Sequence, residues 1–170
     1  METRSDFIKK WLIYSLLTLL FLLLQSLVLN RLRLFGFTPW LLPLLPAIVG
    51  AMEQHTQSLG FALIFGVLCD MAIIGPFPCF FLLCSVLGVL LSFLVGTRLL
   101  SAGWLCSLAS GFASLLLCNL LWALSVRLSS GAALSALLLH ALGASLISLP
   151  TVLLLHPVFA FFHGRLHIYD

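Results

Sequence analysis

Leu59-Gly-Phe-Ala-Leu-Ile-Phe-Gly-Val-Leu-Cys-Asp70-Met-Ala-Ile-Ile74 is apolar from end to end except for a single carboxylate. An ionised acid at the centre of a bilayer costs on the order of 3 kcal/mol even on the lenient insertion scale, so it normally faces protein, water or a partner. Ala62, Gly66 and Asp70 fall at i, i+4 and i+8 and therefore share one face of a helix. Two small residues leading to an acid make that face suited to close contact. The apolar run is continuous rather than alternating, which points to a spanning helix and not to a barrel strand.

The rest of the chain has the same character. Of its 170 residues 62% are hydrophobic and 8% charged, and the mean hydropathy is +1.24. Soluble domains carry about 25% charged residues, so this composition cannot supply a water-facing surface. The sequence therefore predicts an all-α, polytopic membrane protein forming one compact domain over residues 1–170. The net charge of +3 is dispersed and builds no nucleic-acid surface. The five cysteines (69, 79, 84, 106 and 118) lie in or beside apolar stretches and read as small packing residues. The first apolar run is too long, and lacks the small-residue exit, for a cleaved signal peptide.

Six spans are expected, at about 11–29, 39–52, 59–74, 79–97, 104–126 and 132–162, joined by short connections. Pro39, Pro43 and Pro46 make the second span irregular or dependent on shielding by its neighbours. The run Glu53-Gln-His-Thr-Gln-Ser58 reads as a polar loop with Glu53 and His55 solvated. Gly75-Pro76-Phe-Pro78 reads as a tight turn. The last apolar stretch exceeds one crossing, predicting a kink near Pro150 or a final segment lying in the interface. With the amino terminus inside, Arg4, Lys9, Lys10, Arg98 and Arg165 fall on the cytoplasmic side against Arg31, Arg33 and Arg127 outside. The positive-inside rule then places both termini in the cytoplasm.

Small residues recur at fourfold spacing on the later spans: Cys84, Gly88, Ser92 and Gly96; Ser110, Ser114 and Cys118; Ala136, His140, Ala144 and Ser148. Such ridges let helix backbones approach in lipid, either within the bundle or towards a partner. Gln25, Asn119 and His140 read as interhelical hydrogen-bonding groups. Three readings are open for Asp70: a carboxylate satisfied inside the fold, a contact for a partner, or a ligand for an ion or substrate. His156, His163 and His167 have a metal-like spacing, but Pro157 and Gly164 interrupt it, so they read as interfacial histidines. No clustered acids and bases, phosphate loop, metal motif or cofactor motif is present, and the expectation is a protein that is not an enzyme and holds no metal or cofactor.

A first span ending near Gln25, a short proline-bearing second span, then Gly60-x5-Gly66-x3-Asp70, the Gly75-Pro76 turn and a fourth span with Gly88 and Gly96 resemble the rod shape-determining MreD family. The likeness is densest over Leu59–Gly96. It departs at the second span, where the family usually has one proline near the start. The resemblance implies a fold similar to the substrate-binding subunits of energy-coupling-factor transporters. It also implies a non-enzymatic scaffold of cell elongation in the bacterial cytoplasmic membrane, surrounded by lipid. Its expected partner is an MreC-like single-span protein, linked through it to MreB filaments, RodA and a class B penicillin-binding protein. Gly60, Gly66, Asp70, Gly75 and Pro76 are the residues carried over, with Asp70 expected to accept hydrogen bonds from the partner. The alternative is a vitamin-binding transporter subunit. Against it stand a first span without the alanines such subunits use for docking and the lack of long loops.

Overall fold

A computed structural model describes the backbone of residues 4–32, 37–53, 55–98, 104–131 and 133–166, with side chains for these except 4–7, 10, 55, 97, 98, 154 and 162–166. Among the described residues the regular structure is helical throughout. Helix α1 (Arg4–Leu27) is followed by a 3-10 turn at Leu29–Arg31; α2 is Leu44–Met52, α3 His55–Ala72, α4 Phe80–Arg98, α5 Trp104–Ser130 and α6 Leu134–Leu166. Helices α3 and α4 pair, as do α5 and α6. The short α2 lies between these pairs and touches α3, α4, α5 and α6.

Polarity is distributed inside out. Leu12, Leu16, Leu20 and Leu23 of α1, Ile64, Leu68 and Met71 of α3, and Leu139, Leu146 and Leu153 of α6 are all exposed. Ser92, Ser107, Ser110, Ser114, Asn119, Ser145 and Ser148 are buried. Water would penalise that exterior, whereas lipid does not, and in lipid packing and interhelical hydrogen bonds drive association. Trp11–Arg31, Trp104–Ser130 and Leu134–Phe161 are each long and apolar enough to cross a membrane; Thr56–Ala72 and Phe80–Gly96 are apolar but shorter. The chain is thus built as a membrane protein.

The second predicted span is only partly helical. Helix α2 has nine residues and a length of about 13 Å, under half of a hydrocarbon core. It is entered through the non-helical stretch 37–43. Pro43 caps it and Pro46 sits in its first turn, where the amide that proline lacks has no intrahelical partner anyway. Pro39 stays outside it. Every residue from 41 to 50 is buried, so neighbours do shield this segment.

One boundary differs from expectation. Residues 56–58 belong to α3 rather than to a loop, and Glu53 is buried at 8% exposure; its carboxylate accepts a 2.6 Å hydrogen bond from the Tyr14 hydroxyl of α1. That buried bond replaces solvation, while the side chain of His55 lies outside the described residues. The last helix runs unbroken through Pro150 and Pro157 for 33 residues. Helix α1 is fastened by aromatic rings: Tyr14 meets Phe159 at 5.8 Å and Phe61 at 6.4 Å, and Phe21 stacks on Phe159 at 6.1 Å.

Candidate functional site

Asp70 lies on the last turn of α3, beside the start of α4. Helix α4 begins at Phe80 without an N-capping side chain of its own, because Cys79 precedes it and thiols accept hydrogen bonds weakly. Cys79 also has φ of +61°, away from the extended conformation of a capping residue. Asp70 takes over that role from the neighbouring helix. The amides of Phe81 and Leu82 donate to its Oδ1 and Oδ2 at 2.9 and 3.0 Å. These are the second and third residues of α4, whose amides have no partner within the helix. The negative charge also meets the positive end of the helix dipole.

Gly66 makes this geometry reachable. A Cβ built there would stand 2.5 Å from Leu82 Cα and 3.0 Å from Leu82 N. The same residue whose amide bonds Asp70 thus presses its backbone against Gly66. Gly75 lies in the connecting loop, where a Cβ would come within 3.0 Å of Phe80 Cβ, and Pro76 is exposed on that loop. The structure brings Gly66, Asp70 and Gly75 together around the first turn of α4. Asp70 thus caps α4 within the fold, the first of its three open readings. Gly60 does not join this set: nothing lies within 4 Å of a Cβ built on it. The sequence signal that could have found the pairing is a helix start at Phe80 with no capping residue before it, ten residues after a lone acid.

The second group of polar side chains holds α2 and the non-helical stretch that leads into it. Gln25 of α1 accepts from the Leu41 amide at 2.8 Å and donates through Nε2 to Pro39 O at 3.2 Å and Asn30 Oδ1 at 2.8 Å. Ser148 accepts from the Trp40 amide at 2.9 Å, Ser114 donates to Pro43 O at 2.8 Å, and Ser92 donates to Ala47 O at 2.7 Å. Non-helical backbone buried away from water needs partners from the protein, and four helices supply them here. The contacts run antiparallel to α1, from Gln25 beside Pro39 and Leu41 to Tyr14 beside Glu53.

The predicted small-residue ridges serve this interior. Gly88 faces Ser114, whose Oγ would be 2.8 Å from an added Cβ, and Gly50, which the sequence reading passed over, abuts Val89 and Ser92 of α4. Gly96 is exposed and in ordinary contact with Cys106. Asn119 of α5 donates to Ser145 Oγ of α6 at 3.1 Å, as expected of an interhelical group. His140 instead is exposed, with its ring 5.0 Å from Phe37 and 5.9 Å from Trp122. His156 is half-buried, its Nδ1 3.0 Å from Ser107 Oγ, and so is held by α5 rather than free at the interface. The side chains of His163 and His167 lie outside the described residues. Cys69, Cys84, Cys106 and Cys118 are buried, as packing residues should be, whereas Cys79 is exposed; all five are free thiols.

Between α1 and α3 lies a cleft of about 130 Å³ lined by Ser15, Thr18, Leu19, Phe61, Ile64 and Leu68 among others. Thr18 is 5% exposed, and its hydroxyl has no hydrogen-bond partner. Comparison with protein-family models, curated proteins and solved structures returned no match for this chain.

Proposed function

We propose that this chain is a six-crossing scaffold of the MreD type in the bacterial cytoplasmic membrane, with both termini cytoplasmic and the 37–52 segment as its discontinuous second crossing. It performs no catalysis; it binds an MreC-like single-span protein and through it joins MreB filaments to RodA and a class B penicillin-binding protein. The docking place is the cleft between α1 and α3. The supporting observation is the Thr18 hydroxyl, buried without a partner in a cleft whose rim, Leu19 and Ile64, is exposed and apolar. An orphan hydroxyl in an apolar setting costs about 1–3 kcal/mol, so the α1–α3 seam is imperfectly satisfied by the fold itself. Two further facts point the same way. Glu53 and Asp70, the carboxylates among the described side chains, are both engaged within the fold, and the ridges on α4 and α5 are occupied by the protein's own helices.

The test is a photo-crosslinker placed at Ile64 in the native membrane, with Leu139 on the outer face of α6 as the control position. Capture at Ile64 of a single-span protein with a coiled-coil stalk and a β-rich outer domain is the expected product. Capture of an ATPase pair with its coupling subunit, or a co-purifying vitamin, would overturn the scaffold in favour of transport.

A further inference from the structure

Helices α4 and α5 run antiparallel in a register fixed by two close approaches. A Cβ built on Gly96 would lie 3.7 Å from Cys106 Sγ, and one built on Gly88 would lie 2.8 Å from Ser114 Oγ. Carried on by the same step, this register puts Phe80, the first residue of α4, opposite Trp122. In the other direction it puts Arg98, which ends α4, opposite Trp104, which starts α5. The two helices are flush at that end. Helix α4 has 19 residues and α5 has 27, so the whole excess, residues 123–130, stands about 12 Å beyond the start of α4. Helix α6 accompanies it: the His140 ring lies 5.9 Å from the Trp122 ring, and residues 134–139 extend past that level.

We infer that the bilayer meets this end of the protein at two heights, thinned against the α3–α4 side and full against the α5–α6 side. Allowing for the rise of the α3–α4 connection itself, the two hydrocarbon edges differ by on the order of 5–10 Å. The inference rests on the chain crossing a membrane and not on which protein docks to it. The α3–α4 connection marks the lower edge. Residues 73–79 are non-helical, and Ile74, Pro76, Pro78 and Cys79 are exposed. Irregular backbone exposed to lipid is not found within hydrocarbon, so this connection reaches the headgroup layer. The overhang has the opposite character. Leu124, Leu128, Leu134, Leu138 and Leu139 are exposed, and they stand on regular helix, whose backbone is satisfied internally and tolerates hydrocarbon. Lipid rising to cover them removes apolar surface from water. Ser129 and Ser130 come only at the tip, and the long side chain of Arg127 snorkels to the surface from just below. Tilting the molecule cannot level the two edges, because α4 and α5 are flush at the opposite end. A bilayer thins against a wall shorter than itself.

The experiment labels the full chain with a nitroxide in vesicles of palmitoyl-oleoyl phosphatidylethanolamine and phosphatidylglycerol. Relaxation by oxygen, which concentrates in hydrocarbon, is compared with relaxation by a water-soluble nickel chelate. Cys79 is labelled as it stands, being exposed where the other four thiols are buried. Leu124→Cys and Leu139→Cys are each labelled in a Cys79→Ser background, with Leu146→Cys on α6 as the mid-bilayer reference. Position 124 is only about 3 Å above the level of Trp122, so it and Cys79 compare the two sides at nearly one height. The expected result is chelate-dominated relaxation at Cys79, with oxygen favoured several-fold at positions 124 and 139 as at 146. A label that disrupts the fold gives a fast-tumbling spectrum, and Leu128→Cys then takes its place. Chelate dominance at position 124 or 139 would overturn the inference by standing the overhang in water. Weak relaxation by both agents there would overturn it by showing protein cover. Oxygen dominance at Cys79 would overturn it by putting the connection inside hydrocarbon. Partner capture at Ile64 is read separately, so neither result decides the other.

Discussion

Gly66→Ala is the substitution on which the α3–α4 geometry makes its sharpest demand. The new methyl would sit 2.5 Å from Leu82 Cα, where about 3.4 Å or more is needed for an ordinary carbon contact. The obstacle is backbone, so no side-chain rotation relieves it, and α4 must retreat by about 1 Å. The Leu82 amide, 3.0 Å from Asp70 Oδ2, would then pass the range of a hydrogen bond. Overpacking contributes about 1–3 kcal/mol and loss of one charge-assisted bond about 1.5–3 kcal/mol. A total of about 3–5 kcal/mol is expected. The assay is reversible unfolding in lipid or mixed micelles, followed by a distance probe between α3 and α4. Asp70→Asn should be destabilising alone, since one of its two amide partners then meets an NH₂ group. Combined with Gly66→Ala it should cost less than the sum, because both remove the same bond. A Gly66→Ala effect below about 1 kcal/mol, or strict additivity with Asp70→Asn, would refute the reasoning.

Other substitutions separate the supporting groups. Gly60→Ala, with nothing within 4 Å of the added carbon, should be neutral or stabilising by up to about 1 kcal/mol in the same unfolding assay. Cys79→Gly should stabilise by about 1 kcal/mol by relieving the left-handed backbone at φ +61°. Gln25→Leu strips partners from the Leu41 amide and Pro39 carbonyl; a loss of about 2–4 kcal/mol, with faster amide exchange at Leu41, is expected. Tyr14→Phe removes a donor from buried Glu53 and should cost about 1.5–3 kcal/mol, visible as a lowered midpoint of thermal unfolding in nanodiscs.

The residues that sequence reasoning isolated were those that violate lipid chemistry on their own. Asp70 stands out because a charge in an apolar run demands an explanation, and Pro39, Pro43 and Pro46 because a helix cannot ignore them. What satisfies these residues was less legible. The cap on α4 depends on Gly66 letting Leu82 come close, which spacing alone suggests but does not orient. Ser92, Ser114 and Ser148 were visible as small residues on helix faces; their service to α2 and its leader requires the registers of three other helices. Glu53 was misread because it opens a polar run, while the partner that buries it, Tyr14, lies 39 positions earlier. The cleft at Thr18 has no local signature, since it is assembled from segments distant in the chain.

The most direct test compares partner capture by two variants, normalised to folded protein in the native membrane. Asp70→Asn should retain capture of the single-span protein, because its carboxylate serves α4. The double variant Leu19→Trp with Ile64→Trp, which fills the α1–α3 cleft from its exposed rim, should abolish capture. Loss of capture in Asp70→Asn with full capture by the cleft-filled protein would contradict the assignment and return the docking surface to the acid.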